Sequence, residues 1–592
     1  MNHSKTRLKK RLIIAFSLCF LLTGCQSTVP SSPSYPKTNE TFDQFLTDSF
    51  QELVTSDTLT LHYTIKDRSN YPIDEIDQIK QPTFGTVQPS SLNDLITKQK
   101  EKQQQLLSFS KEELSLKQQQ DYDIFAYYLE EELNGMPYFY YQTIFSPVTG
   151  IQAQLPVLLS EYRLENRTDI EEYLALLLDL NRYFTDLFAI EQQKAAMGLG
   201  MQDFALDDVI EQCLSYLLSN ETNCLLTSFE YRLNALVSKQ IITKREQQLY
   251  ELENKQIVSS HIIPAYKQLI EHLTSLKGTA TITGGICNLK NGNDYYEYLV
   301  STSTSSTLQP QEMKKQIIKR LNDNQNRLIQ LLQQQPNILQ EYETASIPIT
   351  DPNDILSTLQ ANIQKDFPKS THTSYELKTV DPSLSEYLSP AFYLTPPIDD
   401  SFSNIIYLNT LSSSYEQHTL YPTLAHEGYP GHLYQNTYFY ATNPNPIRSL
   451  LNFNGYSEGW ATYVEYHCYE NIDYGMHSSA IATLEQYQMD LSLGISSLVD
   501  IGVNYDGWTL LDCATFLKEY GISDEETIYS LYVSVIEEPA NYLKYYIGFL
   551  QFESLREQQE QKKTFRTIDF HKTILDLGPA PFSIVQFALN NN

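Results

Sequence analysis

Leu424-Ala-His-Glu-Gly-Tyr-Pro-Gly-His-Leu-Tyr-Gln435 is the stretch on which the reading of this chain turns, and Tyr456-Ser-Glu-Gly-Trp-Ala-Thr-Tyr-Val-Glu465 follows it. The first holds His426, His432 and, directly after His426, the carboxylate Glu427. The second sets Glu458 and Glu465 one heptad apart, roughly on one face of a helix. Zinc suits imidazole and carboxylate, and catalytic zinc sites keep three protein ligands and one position open to water. In the common His-Glu-x-x-His helix the histidines stand at i and i+4. Here the second stands at i+6, which at about 100° per residue is roughly 240° round a regular helix. Pro430 lacks the N–H that would bond the carbonyl of His426, and its ring crowds that carbonyl, while Gly431 is free in φ. The helix is therefore expected to break at Tyr429-Pro430-Gly431 and to bring His432 back beside His426.

On this reading His426, His432 and Glu458 are the ligands of a zinc ion. Glu427 is general base and then acid, and Glu465 supports a ligand histidine by a hydrogen bond. Gly459 keeps the backbone slim beside the site. His418, His467, His477 and His571 read as surface or internally satisfied histidines.

Upstream, Met1 to Arg11 is basic without an acid, and the apolar run Leu12–Leu22 is too short to span a bilayer of ~30 Å. This is the anatomy of a secretory signal. It ends Leu22-Thr-Gly-Cys25, similar to the lipobox of bacterial lipoproteins, so residues 1–24 are expected to be removed and Cys25 to carry lipid. Residues 25–42, rich in Ser, Pro and Thr, read as a spacer. The body, 43–592, is then tethered to the outer face of the cytoplasmic membrane.

The chain carries 42 basic and 72 acidic residues, a formal net charge of −30, and five of the basic ones sit in the leader. Nucleic acid is excluded as a partner, since phosphate binding needs a basic face. Beyond Cys19 and Cys25, the five cysteines Cys213, Cys224, Cys287, Cys468 and Cys513 form no CxxC pair, which argues against a cysteine zinc cage. Cys213 and Cys224 flank a polar turn and are placed to pair in an oxidising exterior.

The body reads as mainly helical. Asp121–Leu133 and Asp169–Ile190 show apolar residues at three- and four-residue spacing, and Ser110-Lys-Glu-Glu113 has the form of a capping box. Gly and Asn dominate residues 281–294, where a lobe boundary near 280 is expected. Around Tyr393-Leu-Thr-Pro-Pro397 and Asn404-Ile-Ile-Tyr-Leu-Asn409 the chain is expected to be extended, with a short strand just upstream of the histidines. An edge strand there would hold an extended peptide. The segment 524–592 returns to helix.

At these residues the chain resembles a bacterial family known as domain of unknown function 885, placed by its motif among the gluzincin metallopeptidases. The family's His-Glu-x-x-Pro-Gly-His run is matched at His426–His432 and its Glu-Gly-Trp-Ala run at Glu458–Ala461. Weaker matches are Gly292–Tyr296, Asn541–Gly548, and Phe570-His571 with Leu577-Gly578-Pro579. The run also looks like a two-residue expansion of the motif in angiotensin-converting-enzyme-like peptidases, which implies a large helical, two-lobed body around a deep groove. One departure is Glu538-Pro-Ala-Asn541, where relatives commonly have Pro-Gly-Gln; it is expected to bear on substrate contacts rather than on the metal.

The expected activity is zinc-dependent hydrolysis of peptide bonds in oligopeptides. Tyr545 or Tyr546 is the candidate donor to the oxyanion, and Arg556 the candidate anchor for a substrate carboxylate. The competing readings are a metal-dependent hydrolase of another amide or ester, and a non-catalytic peptide-binding surface lipoprotein.

Overall fold

Helix accounts for most of the chain from Glu40 to Asn591 in the computed structural model. The structure describes residues 39–591 except 72, 74–80, 88–91, 219–222, 371–373, 381–384, 386–387, 401, 413–414 and 416–418. The expected signal peptide, Cys25, nearly all of the spacer and His418 lie outside the described residues.

Local chemistry starts many of the helices. Asn166 and Asp169 form a reciprocal capping box at Arg167–Ala196, as do Thr243 with Glu246 and Thr509 with Asp512. The box expected at Ser110 is not there: Lys111–Glu113 is a single 3₁₀ turn, and the box sits at Ser115 and Gln118, opening Leu116–Gly135. No helix among the described residues is long and apolar enough to cross a membrane.

Two main hydrophobic cores form. One is built around Arg167–Ala196 and includes Tyr173, Phe229 and Tyr266. The other gathers Tyr429, Tyr434, Tyr456, Trp460, Tyr546 and Phe552. A three-stranded sheet lies between them, in the order β1 (Glu376–Thr379), β3 (Ile405–Leu408), β2 (Ala391–Leu394), with β1–β3 parallel and β2–β3 antiparallel. The alternation of a strand serves both cores: Ile406 and Leu408 enter the second, and Tyr407 enters the first. The strand expected just upstream of the histidines is β3, but it is central. The sheet edge beside the histidines is β2. All five cysteines of the body are free thiols, so the expected Cys213–Cys224 pair does not form; both are buried apolar members of the first core.

Asn454–Cys468, the glutamate helix, and Asn541–Glu560, the tyrosine helix, cross in close contact. A Cβ added to Gly459 would stand 2.4–2.5 Å from the backbone of Gly548, and one added to Gly548 would stand 2.2 Å from the carbonyl oxygen of Gly455. Backbone therefore lies on backbone, and only glycine fits. Gly459→Ala is expected to force the helices apart at a cost of ~1–3 kcal/mol, read as a lower urea midpoint of unfolding; an unchanged midpoint would show that the crossing tolerates a methyl group.

Candidate metal centre

The first histidine helix, Leu420–Glu427, stops one residue after His426, and a second, His432–Ala441, starts at His432. Between them the chain reverses through Gly428, Tyr429, Pro430 and Gly431, with a cis Tyr429–Pro430 peptide. Gly431 donates its N–H to the carbonyl of Ala425 at 3.0 Å. A Cβ there would meet the carbonyl oxygen of His426 at 1.8 Å, so close approach is what demands glycine. The break brings the two imidazoles together, ring centroids 4.9 Å apart and nearly perpendicular. From the far side the Trp460 indole donates to the Pro430 carbonyl at 2.9 Å, tying the break to the glutamate helix.

Glu458 faces both rings. Its Oε2 lies 3.5 Å from His426 Nε2 and 3.4 Å from His432 Nε2. These separations are long for an N–H···O hydrogen bond, whose usual value is ~2.9 Å. They match donors sharing a tetrahedral metal: ligands held at ~2.0–2.1 Å stand roughly 3.3–3.4 Å from one another. Glu465, one heptad on, accepts from His426 Nδ1 at 2.9 Å, which turns Nε2 toward Glu458. Glu427 lies in the same cluster: one donor atom from each of His426, Glu427 and His432 falls within 4.8 Å of the others. Glu427 Oε2 accepts the Tyr393 N–H of β2 at 2.8 Å, so this carboxylate is already oriented by the strand. The donors that lie mutually within 4.8 Å are those of His426, Glu427 and His432; Glu458, 3.4–3.5 Å from both imidazoles, is the further carboxylate that could hold an ion with the two histidines.

The charges are tightly balanced. Burial alone would favour neutral His426, but Glu458 and Glu465 raise its pKa well above the ordinary range. Burial alone would raise Glu458, but the two histidines hold it well below the usual carboxylate range. Glu427 is raised by burial, against the pull of His432, His426 and the Tyr393 N–H. The side chains of His426 and Glu458 remain 13% and 22% exposed, so the cluster opens to solvent.

The two tyrosines expected as oxyanion donors separate. Tyr545 lies beside the cluster, its ring 6.3 Å from that of His426, and burial with the charges of Glu458, Glu427 and Glu465 raises its pKa. Tyr546 is fully buried and donates to Asp490 at 2.9 Å. Arg556 is not in the cluster: it donates to Tyr463 Oη at 2.9 Å and pairs with Glu560. Tyr463 stands roughly 140° round the glutamate helix from Glu458, so Arg556 packs behind that helix. His467 is held by Glu470 and Glu553, His477 by Glu341, and His571 by Tyr463 and the Asp366 carbonyl. The residue that sequence reasoning missed is Tyr393. Its backbone N–H is the group used, and a backbone donor leaves no trace in residue type.

A family model described as "Bacterial protein of unknown function (DUF885)" matches residues 77–589. Two solved structures are similar in fold. The "putative lipoprotein from Colwellia psychrerythraea" is 18% identical with a TM-score of 0.79, over 93% of this chain and 98% of that one. The "putative lipoprotein of unknown function from Shewanella oneidensis" is 15% identical with a TM-score of 0.64, over 93% and 99%. No curated protein matches the chain.

Glu465 fixes the His426 ring with Nε2 toward Glu458, so if the cluster takes up zinc, Glu465→Gln is expected to weaken that binding by about 10–100-fold in a chelator competition. Arg556→Ala, behind the helix, is expected to leave that affinity unchanged.

Proposed function

The chain belongs to the DUF885 family of bacterial proteins of unknown function, and from that premise we propose that it is a zinc-dependent hydrolase of peptide bonds in oligopeptides. The observation that carries the reading is Glu458 Oε2, set 3.4–3.5 Å from the Nε2 atoms of two histidines with a further carboxylate, Glu427, alongside. A zinc ion held by His426, His432 and Glu458 would polarise a scissile carbonyl and acidify water.

The chain's own residues then divide the work. Glu427 takes the proton of the attacking water and passes it to the leaving amine. Its tether to the Tyr393 N–H occupies one oxygen and fixes the plane of the carboxylate. The Tyr545 phenol donates to the oxyanion, and its raised pKa keeps the proton on the ring oxygen at neutral pH. Strand β2, paired on one side with β3, offers an extended peptide the groups of its other edge that remain beside the Tyr393 N–H taken by Glu427. A surface protein that only captured peptides would have no use for a carboxylate held beside the ligand histidine, and Glu427 favours the enzyme over that alternative. The basic leader ending in Leu22-Thr-Gly-Cys25, with the lipoprotein description of both structural neighbours, supports a lipid anchor at Cys25 and work outside the cytoplasmic membrane.

Glu427→Gln is expected to lower kcat by about 10²–10⁴-fold while zinc stays bound at one equivalent, measured by elemental analysis beside a digest of a peptide library. Tyr545→Phe should lower kcat by about 10²–10³-fold with little change in zinc content. Normal hydrolysis by Glu427→Gln would rule the mechanism out.

A further inference from the structure

A cavity of about 350 Å³ opens beside the metal cluster, with His432 and Glu458 in its wall. The helix His432–Ala441 contributes His432, Asn436 and Tyr440, at four-residue steps along one face, so a ridge of imidazole, carboxamide and phenol runs away from the cluster. Ser457 and Phe453, at the start of the glutamate helix, face them across the cavity.

The charge in this wall is already spoken for. Arg448 is buried and pairs with the buried Asp121 at 3.1 Å, and its other terminal nitrogen donates to the carbonyls of Leu577 and Pro579 at 2.9 and 2.7 Å. Glu458 is shared between the two histidines. Among the described residues the lining holds no further Asp, Glu, Lys or Arg. Alongside apolar Phe439, Leu450 and Leu451, it holds neutral hydrogen-bonding groups: the Asn436 amide and the Tyr440 and Ser457 hydroxyls.

We infer that this cavity receives an uncharged, hydrogen-bonding side chain of the substrate, a carboxamide above all, and that Asn436 selects it. The inference rests on the hydrolase reading and narrows it. A carboxamide brings one acceptor and two donors and so matches a wall of the same mixed character. A lysine or glutamate side chain would lose its hydration without meeting a free counter-charge. A leucine would leave the wall's polar groups unpaired, the situation in which a site built for hydrogen bonding rejects an apolar analogue.

The test uses the zinc-loaded full-length protein and fluorogenic peptides that differ at one position through Gln, Leu, Lys and Glu, scanned across the residues flanking the cut. At one flanking position Gln should exceed each of the others by about 10-fold or more in kcat/KM. Asn436→Asp should move the Lys:Gln ratio toward Lys by about 10-fold, and Tyr440→Phe, which keeps the ring, should shrink the advantage of Gln over Leu. Equal cleavage of all four side chains at every flanking position, or unchanged ratios in both variants, would overturn the inference and leave the hydrolase reading standing. Failure of the zinc-loaded protein to cut any peptide would overturn that reading and this inference with it.

Discussion

Where the glutamate and tyrosine helices cross, Gly455, Gly459 and Gly548 bring backbone against backbone, in place of the side chains that ordinarily hold packed helices ~8–10 Å apart. The site depends on that approach. Glu458 immediately precedes Gly459, and Tyr545 comes one turn before Gly548, so the crossing is also what sets the phenol and the carboxylate near the same imidazoles. Through Trp460 the same helix grips the break between the histidines, and through Glu465 it turns His426. One helix thus reads the position of every other part: one face meets the histidines, one the tyrosine helix, and the opposite face carries Tyr463 and His467 into a polar network with Arg556, Glu553 and His571.

Electrostatics gives this crowding a direction. Glu427, Glu458 and Glu465 surround two imidazoles in a partly buried space, and burial makes excess charge of one sign costly. Without an ion, His426 meets part of the excess by holding its proton against the pull of burial. In the proposed function, a divalent cation on the same atoms would meet it without that proton. A merely structural cluster would gain more from apolar replacement than from three carboxylates.

Much of this geometry was legible because it follows from single residues. Pro430 removes a donor and crowds a carbonyl, so the i+6 spacing had to resolve into a break. Gly459 had to face something close. What remained hidden needed the rotation of a helix about its own axis. Tyr545 and Tyr546 are neighbours in sequence but roughly 100° apart around the helix, and nothing in their shared chemistry chooses between them. The signal was Gly548: as the contact point, it puts the residue three before it on the same face and the residue two before it in the core. Arg556 failed for the same reason, since its partner Tyr463 lies on the far side of the glutamate helix from Glu458. Ser110-Lys-Glu-Glu113, read from sequence as a capping box, and Ser115-Leu-Lys-Gln118, where the box forms, carry equivalent local chemistry. Packing of Ile124, Phe125 and Leu129 behind the second decided between them.

The departure at Pro539-Ala540-Asn541 falls on the turn that launches the tyrosine helix. Ala540 has φ +67°, the left-handed region, where a Cβ costs ~1–2 kcal/mol and glycine costs nothing comparable. The glycine common at this position in the resembled family is what that conformation favours. Here the conformation is kept without it: the Ala540 N–H donates to Asp500 at 2.8 Å, and Asp500 also accepts from Tyr296 at 2.6 Å and from Asn504 at 3.3 Å. Burial pushes the Asp500 carboxyl up to about 7, so three donors gather on a group that burial alone would neutralise. The turn is therefore over-determined by its hydrogen bonds, and the alanine strains it without moving it. The substitution therefore bears on the turn that launches the tyrosine helix, five residues before Tyr545.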